Sequence, residues 1–178
     1  GIKLMASKIK VDQIQTGDGT GTIALQNQLS GMTDASMPTG SVVQVVNADY
    51  GTQVAMTSSS FADIGLSATI TPKYNNSRIL VIADISGVTY HAGYAAIATM
   101  QILRGSTVIS LKRFGAYFNA GNDANFYGGV NDSYVDLPNT TSATTYKVQG
   151  ANNNGGTSVT WQPSSQGNSR LTLIEIKV

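Results

Sequence analysis

The sequence predicts an all-β protein: a jelly-roll-like β-sandwich over residues 41–178, carried on an extended N-terminal arm of residues 1–40. Three observations lead there. From Ser41 onward, apolar runs of strand length recur at short intervals between turns rich in Gly, Asn, Ser and Pro, the pattern of a two-sheet β domain. No segment carries a sustained 3.6-residue apolar stripe with helix caps, so helices are not expected. Before Ser41 the texture is different, with isolated apolar residues set among Gly, Thr, Gln and Asp.

In the arm, Lys8-Ile9-Lys10-Val11-Asp12-Gln13-Ile14 alternates and then stops in Thr16-Gly17-Asp18-Gly19-Thr20-Gly21. Ile9, Val11 and Ile14 are its candidates for a contact face with another chain or a neighbouring subunit. The run Ile23-Ala24-Leu25-Gln26-Asn27-Gln28-Leu29 fits a strand or one short helical turn, and its periodicity cannot decide between them. Alone, this segment buries too little apolar surface to offset its ordering entropy. It is expected to be ordered by another chain or not at all. Gly1-Ile2-Lys3-Leu4 precede Met5-Ala6-Ser7, which reads like a natural start, so the first four residues are set aside.

The expected strands cover 42–47, 52–56, 66–71, 78–90, 97–104, 107–117, 125–137, 144–150, 157–162 and 169–178. The first starts straight after the Met37-Pro38-Thr39-Gly40 turn. Pro72 and two asparagines make Thr71-Pro72-Lys73-Tyr74-Asn75-Asn76-Ser77 a loop. Arg104-Gly105-Ser106-Thr107, between Ile102 and Val108, is a tight hairpin signal. Asn152-Asn153-Asn154-Gly155-Gly156 joins Tyr146 and Val148 to Val159 and Trp161. The closing run Arg170–Val178 alternates for most of its length, and a terminal strand that apolar is normally paired inside a sheet. Many strands with a central last one favour a jelly roll.

Composition sets the limits on function. At 178 residues and 18.6 kDa the chain holds one domain plus an arm. Leu, Ile, Val and Phe make up about 24% of it, enough for a core. Only 12% of residues are charged and the net charge is +1, which gives no reason to expect nucleic acid or an anionic membrane as partner. With no cysteine there is neither a disulfide framework nor thiolate chemistry. No apolar run approaches the ~18 residues of a membrane span, and the N-terminus lacks the pattern of a signal peptide.

No catalytic constellation is visible, and no cofactor is expected. His91 is the single histidine, whereas metal sites usually draw several ligands from each chain. Asp12, Asp18 and Asp34 stand in Gly- and Thr-rich sequence without the closing glutamate of an EF-hand, so they read as turn formers. The Gly17, Gly19 and Gly21 series has neither a strand–helix context nor a following Lys-Ser/Thr pair, which removes a phosphate loop. There is no Gly-x-Ser-x-Gly elbow. Glycan hydrolysis needs paired carboxylates. The nearest pair in a strand, Asp132 and Asp136, shares a face without being adjacent, and Glu175 is the only glutamate. The stretch from Tyr117 to Tyr127 interleaves aromatics with amides. Rings that stack on sugars and Asn/Asp groups that bond hydroxyls suit a glycan; the candidates are Tyr117, Asn119, Asn122, Asp123, Asn125 and Tyr127. The competing reading is a hairpin loop whose aromatics belong to the core or to a subunit interface.

Lys8–Gly21 and Met37-Pro38-Thr39-Gly40-Ser41-Val42-Val43-Gln44-Val45 resemble the N-terminal parts of fibre and fibre-like virion proteins of tailed bacteriophages, especially those of marine bacteria and cyanobacteria. Leu66–Pro72, Ser77–Val81 and the ending Ser169–Glu175 are similar too. The resemblance implies a homotrimeric virion appendage: a short fibre or a capsid-decorating protein. Its partners would be other capsid or tail proteins and a host surface glycan. Two rivals from other classes are a small glycan depolymerase and a soluble ligand of the C1q/TNF type, which shares the trimeric jelly-roll plan.

Overall fold

The structure, a computed structural model, describes residues 34–92, 95–117, 124–153, 158–163 and 167–178. Of the first 36 residues it describes one 3-10 turn, Asp34–Ser36. Ile9, Val11 and Ile14 lie outside the described residues. Met37–Val178 forms one compact unit. Its strands are β1 (Val42–Tyr50), β2 (Val54–Met56), β3 (Ala62–Ile70), β4 (Arg78–Ala92), β5 (Ala95–Arg104), β6 (Thr107–Tyr117), β7 (Ala124–Asp136), β8 (Thr144–Asn152), β9 (Val159–Trp161) and β10 (Ser169–Ile176).

The pairing defines the topology. β1 pairs with β10, β3 with β8, β4 with β7 and β5 with β6, all antiparallel. The chain is therefore one long ribbon folded back on itself at the β5–β6 hairpin. Two further pairings, β10 with β4 and β8 with β5, roll that ribbon into two sheets. One sheet runs β1-β10-β4-β7 and the other β3-β8-β5-β6, and this winding is a jelly roll. β9 and β2 extend the first sheet beside the far end of β4. At the ribbon's fold, Gly105 has φ +57° and Arg104 faces Thr107, as a two-residue turn with glycine first requires.

The core follows from period-two alternation. β3 turns Ile64, Leu66, Ala68 and Ile70 inward, and β10 turns Leu171 and Leu173 to meet them. β4 adds Ile79, Val81, Ala83 and Ile85, and β5 adds Met100 and Ile102. Trp161 of β9 fills the space between the sheets toward one end. Its indole lies where a side chain on Gly150 would sit, 2.4 Å from the position of a Cβ, and Phe114 meets it edge to face at 5.8 Å. Burial of such a ring is among the larger single contributions to a core.

Several strand ends differ from the expected ones, and the main shifts have local reasons. The third strand begins at Ala62 rather than at 66, because Asp63 and Gly65 form a bulge rather than a turn. The register shifts between Asp63 and Ser67, and Gly65 adopts φ +88° with the Tyr50 ring against its backbone. The first strand runs on to Tyr50, since Asn47 and Asp49 simply point outward. The segments expected at 52–56 and 157–162 shrink to β2 and β9, which pair over three residues. Asn152, expected to open a loop, is the buried last residue of β8, opposite Ala98, and its N–H donates to the Ser58 carbonyl at 3.0 Å.

Candidate functional site

The connections after β4, β6 and β8 leave from one end of the sandwich, because Ala92 faces Ala124, Ala95 faces Tyr117 and Ala98 faces Asn152. Three of the expected sugar-contacting residues are placed there. Tyr117 ends β6, Asn125 stands opposite His91, and Tyr127 stands opposite Thr89. Asn119, Asn122 and Asp123 lie outside the described residues. Tyr127 is 62% exposed, so it is no core residue of the single chain.

The acidic residues considered for catalysis serve the fold instead. Gln44, Glu175, Ile79 and Asp136 form one row across the inner side of the first sheet. Glu175 is fully buried and accepts hydrogen bonds from Ser77 Oγ at 2.7 Å, Lys73 N at 2.8 Å, Tyr74 N at 3.3 Å and Gln44 Nε2. It anchors the 71–77 loop from the last strand. Asp136 is buried and accepts from Arg104 Nη1 at 2.8 and 2.9 Å and from Tyr146 Oη at 2.7 Å. Asp132 accepts from Ser110 Oγ at 2.6 Å, which ties β6 to β7 across the gap between the sheets. Asp132 and Asp136 thus share a side of β7, as their spacing predicts, yet belong to separate networks.

Burial, reinforced by the Asp136 carboxylate, pushes the Tyr146 phenol well above the ordinary tyrosine value. A raised folded-state value means that this stabilisation is complete below the unfolded value of about 10 and is lost as pH rises beyond it. Thermal melting should therefore fall more steeply above about pH 10 in the wild type than in Tyr146→Phe. Parallel curves for the two proteins would show that the phenol does not couple to folding.

The feature that sequence reasoning missed is the outer face of β1-β10-β4-β7. Opposed residues in antiparallel strands share a face, so the register gives rows across all four strands. Val45, Ile174, Leu80 and Val135 form one wholly apolar row, and its two ends, Val45 and Val135, are 52% and 44% exposed. Val42, 50% exposed, continues it beside Ile176 and Arg78. On the other side come Asn47, Thr172, Ile82 and Ser133. The last row is charged: Asp49, Arg170, Asp84 and Asn131. Arg170 donates to Asp49 through Nε at 2.7 Å and Nη2 at 3.3 Å. That hydrogen bond holds the Asp49 carboxyl below its usual value, and Asp49 together with the charge of Asp84 raises the Arg170 guanidinium. The readable signal was consecutive rather than alternating apolar residues, Ile79-Leu80-Val81-Ile82 and Leu173-Ile174. Such runs belong to strands covered on both faces.

The outer face of the second sheet is polar over β3 and β8, with Asp63, Ser67, Thr69, Thr145, Lys147 and Gln149, and carries the exposed Val108 and Leu111 on β6. Beside the β3 bulge lies a cleft of about 200 Å³ lined by Asp63, Gly65, Leu66, Ser67, Thr145 and Lys147. Partial burial works to raise the Asp63 carboxyl, but hydrogen bonds from Gln149 and Lys147 and the Lys147 charge outweigh it and hold the group below its usual value. These groups thus satisfy one another.

No family model and no curated protein matches the chain. Solved structures of infectious bursal disease virus share a distant likeness. The VP2 subviral particle is 14% identical with a TM-score of 0.31, covering 76% of this chain and 38% of that one. The Gt strain structure is 13% identical with a TM-score of 0.34, covering 83% and 42%. The virus-derived T=1 particle is 12% identical with a TM-score of 0.32, covering 88% and 40%. The chain spans less than half the length of these proteins. At such values nothing transfers from them, and the jelly roll stands on the strand pairing alone.

Proposed function

We propose that the protein is a non-enzymatic structural component of a tailed-bacteriophage virion, a homotrimeric short fibre or capsid-decorating appendage. The observation that carries this reading is the apolar outer face of the four-strand sheet. An outward sheet face with a complete apolar row marks a surface that works covered, which suits an assembly component. The resemblance of Lys8–Gly21 and Met37–Val45 to phage fibre proteins supplies the particle. Residues 1–40 are then the attachment segment, with Ile9, Val11 and Ile14 as contacts to the virion or to neighbouring subunits. Commitment of Glu175 and Asp136 to internal hydrogen bonds favours this reading over a glycan depolymerase. The arm favours it over a C1q/TNF-type ligand.

A host-glycan contact at the β6–β7 tip is a second reading, favoured by the exposed Tyr127 ring. The test is antibody labelling of intact particles combined with adsorption by a Tyr127→Ala virion. Label at the head surface or tail is the expected result, and unlabelled particles overturn the virion role. Adsorption several-fold weaker with unchanged melting supports the glycan contact, since a lost stacked ring costs about 1 kcal/mol per site. Unchanged adsorption leaves shell decoration as the role.

A further inference from the structure

We propose that the outer face of β1-β10-β4-β7 binds a second copy of this chain, the two sheets stacked about a two-fold axis parallel to the strands. The inference stands apart from the virion reading and rests on the order of residues in each row.

A two-fold axis along the strands keeps each row at its own level and lays it over its own reverse. The charged row runs Asp49, Arg170, Asp84, Asn131. Reversed, it places Arg170 of each copy over Asp84 of the other, and the Asn131 amide over Asp49. Both contacts occur twice, and the first joins a guanidinium to a carboxylate; the Asn131 amide already donates to Asp84 of its own chain, so the Arg170–Asp84 pair carries the match. Arg170 already spends two donors on Asp49, and a guanidinium has five, so donors remain for the second copy. In the apolar row Val45 meets Val135 and Ile174 meets Leu80, with no polar atom to desolvate. In the row between them Asn47 meets Ser133, a hydrogen-bonding pair, and Thr172 meets Ile82.

Turning the axis across the strands destroys this match. The charged row would then face the row of Val42, Ile176 and Arg78, and Asp49 would lie over an exposed valine. The level-matched arrangement leaves no charge over an apolar side chain in the four-residue rows, and in the edge row it lays the Arg78 stem over Ile176, with the guanidinium free to turn to solvent at the rim. Four strands spaced about 4.8 Å and rows spanning about seven residues give a face of roughly 500 Å² in plan. Over two copies that is about 1,000 Å², the lower limit of a specific interface. Stacked sheets about 10 Å apart interdigitate their facing side chains in the same way inside a sandwich.

The test is the mass of the full chain by sedimentation across a concentration series, with circular dichroism as a check on folding. Two chains are expected, or six where a threefold contact also forms. Three chains throughout would overturn the face-to-face contact without touching the virion reading, whereas one chain throughout would overturn both this contact and the homotrimer. Ile174→Glu should halve the assembled mass. Should it fail to fold, Val45→Glu, at a position already half exposed, serves in its place; an unchanged mass in a folded variant overturns the proposal. Arg170→Asp should weaken association at least tenfold by setting aspartate over Asp84. Adding Asp84→Arg should restore it. A double variant that folds yet associates no better than Arg170→Asp would rule out the two-fold arrangement.

Discussion

Replacing Asp136 by alanine is expected to cost about 3–5 kcal/mol of folding stability, a melting temperature lower by roughly 10 °C or more for a domain of this size. Asp136 is 5% exposed and is the shared acceptor of Arg104 and Tyr146. Its strand, β7, belongs to the first sheet, whereas β5 and β8, which carry Arg104 and Tyr146, belong to the second. The carboxylate is thus a polar tie through the rolled ribbon. Removing it leaves the Tyr146 hydroxyl, on a fully buried side chain, without its acceptor. Arg104 is also uncovered, though its side chain retains 30% exposure and can turn partly to water, which places the expected cost toward the lower end of the range. Asp136→Asn should fall between, because an amide oxygen still accepts one of the bonds. Denaturant melts of the two variants measure the effect. A loss below about 1 kcal/mol for alanine would mean that the network adds little beyond what water supplies.

How much of this was legible depended on the range of the interaction. Apolar runs of strand length placed the third strand from Leu66 onward, and one glycine at 105 placed the hairpin that turns the ribbon back. These are local signals, and the strands they define agree with the structure to within a few residues at their ends. The jelly roll followed from strand number and from an apolar last strand, and the pairing of β10 between β1 and β4 accords with it. The register itself was not legible. Val45 and Val135 stand in one row only because β10 and β4 lie between them, and no window of sequence contains that fact. The apolar outer face was therefore hidden inside runs that read simply as strands. The candidate glycan residues show the opposite limit: composition singled out Tyr117–Tyr127, and of its side chains only the exposed Tyr127 ring is described.

Glu175→Ala should be as damaging as the loss of Asp136, and its signature should be local as well as global. The side chain is fully buried and receives two backbone N–H groups, a hydroxyl and an amide. Two of those donors belong to the backbone at Lys73 and Tyr74, so they cannot rotate away as side chains do. With the carboxylate gone, the 71–77 loop must either leave its N–H groups unpaired or open to water. An unmet buried donor costs about 1–3 kcal/mol, and several share one acceptor here. A loss of about 3–5 kcal/mol is the expected sum. Glu175→Leu is the sharper control. It restores apolar volume in the core but offers no acceptor, so it should recover little if unmet donors set the cost, and most of the loss if packing does. Glu175→Gln keeps one acceptor oxygen and should recover part. Hydrogen exchange locates the effect: the Lys73 and Tyr74 amides should lose protection in Glu175→Ala well before the amides of β4 do. Uniform loss of protection across the sandwich would instead make Glu175 a general core residue rather than the anchor of one loop.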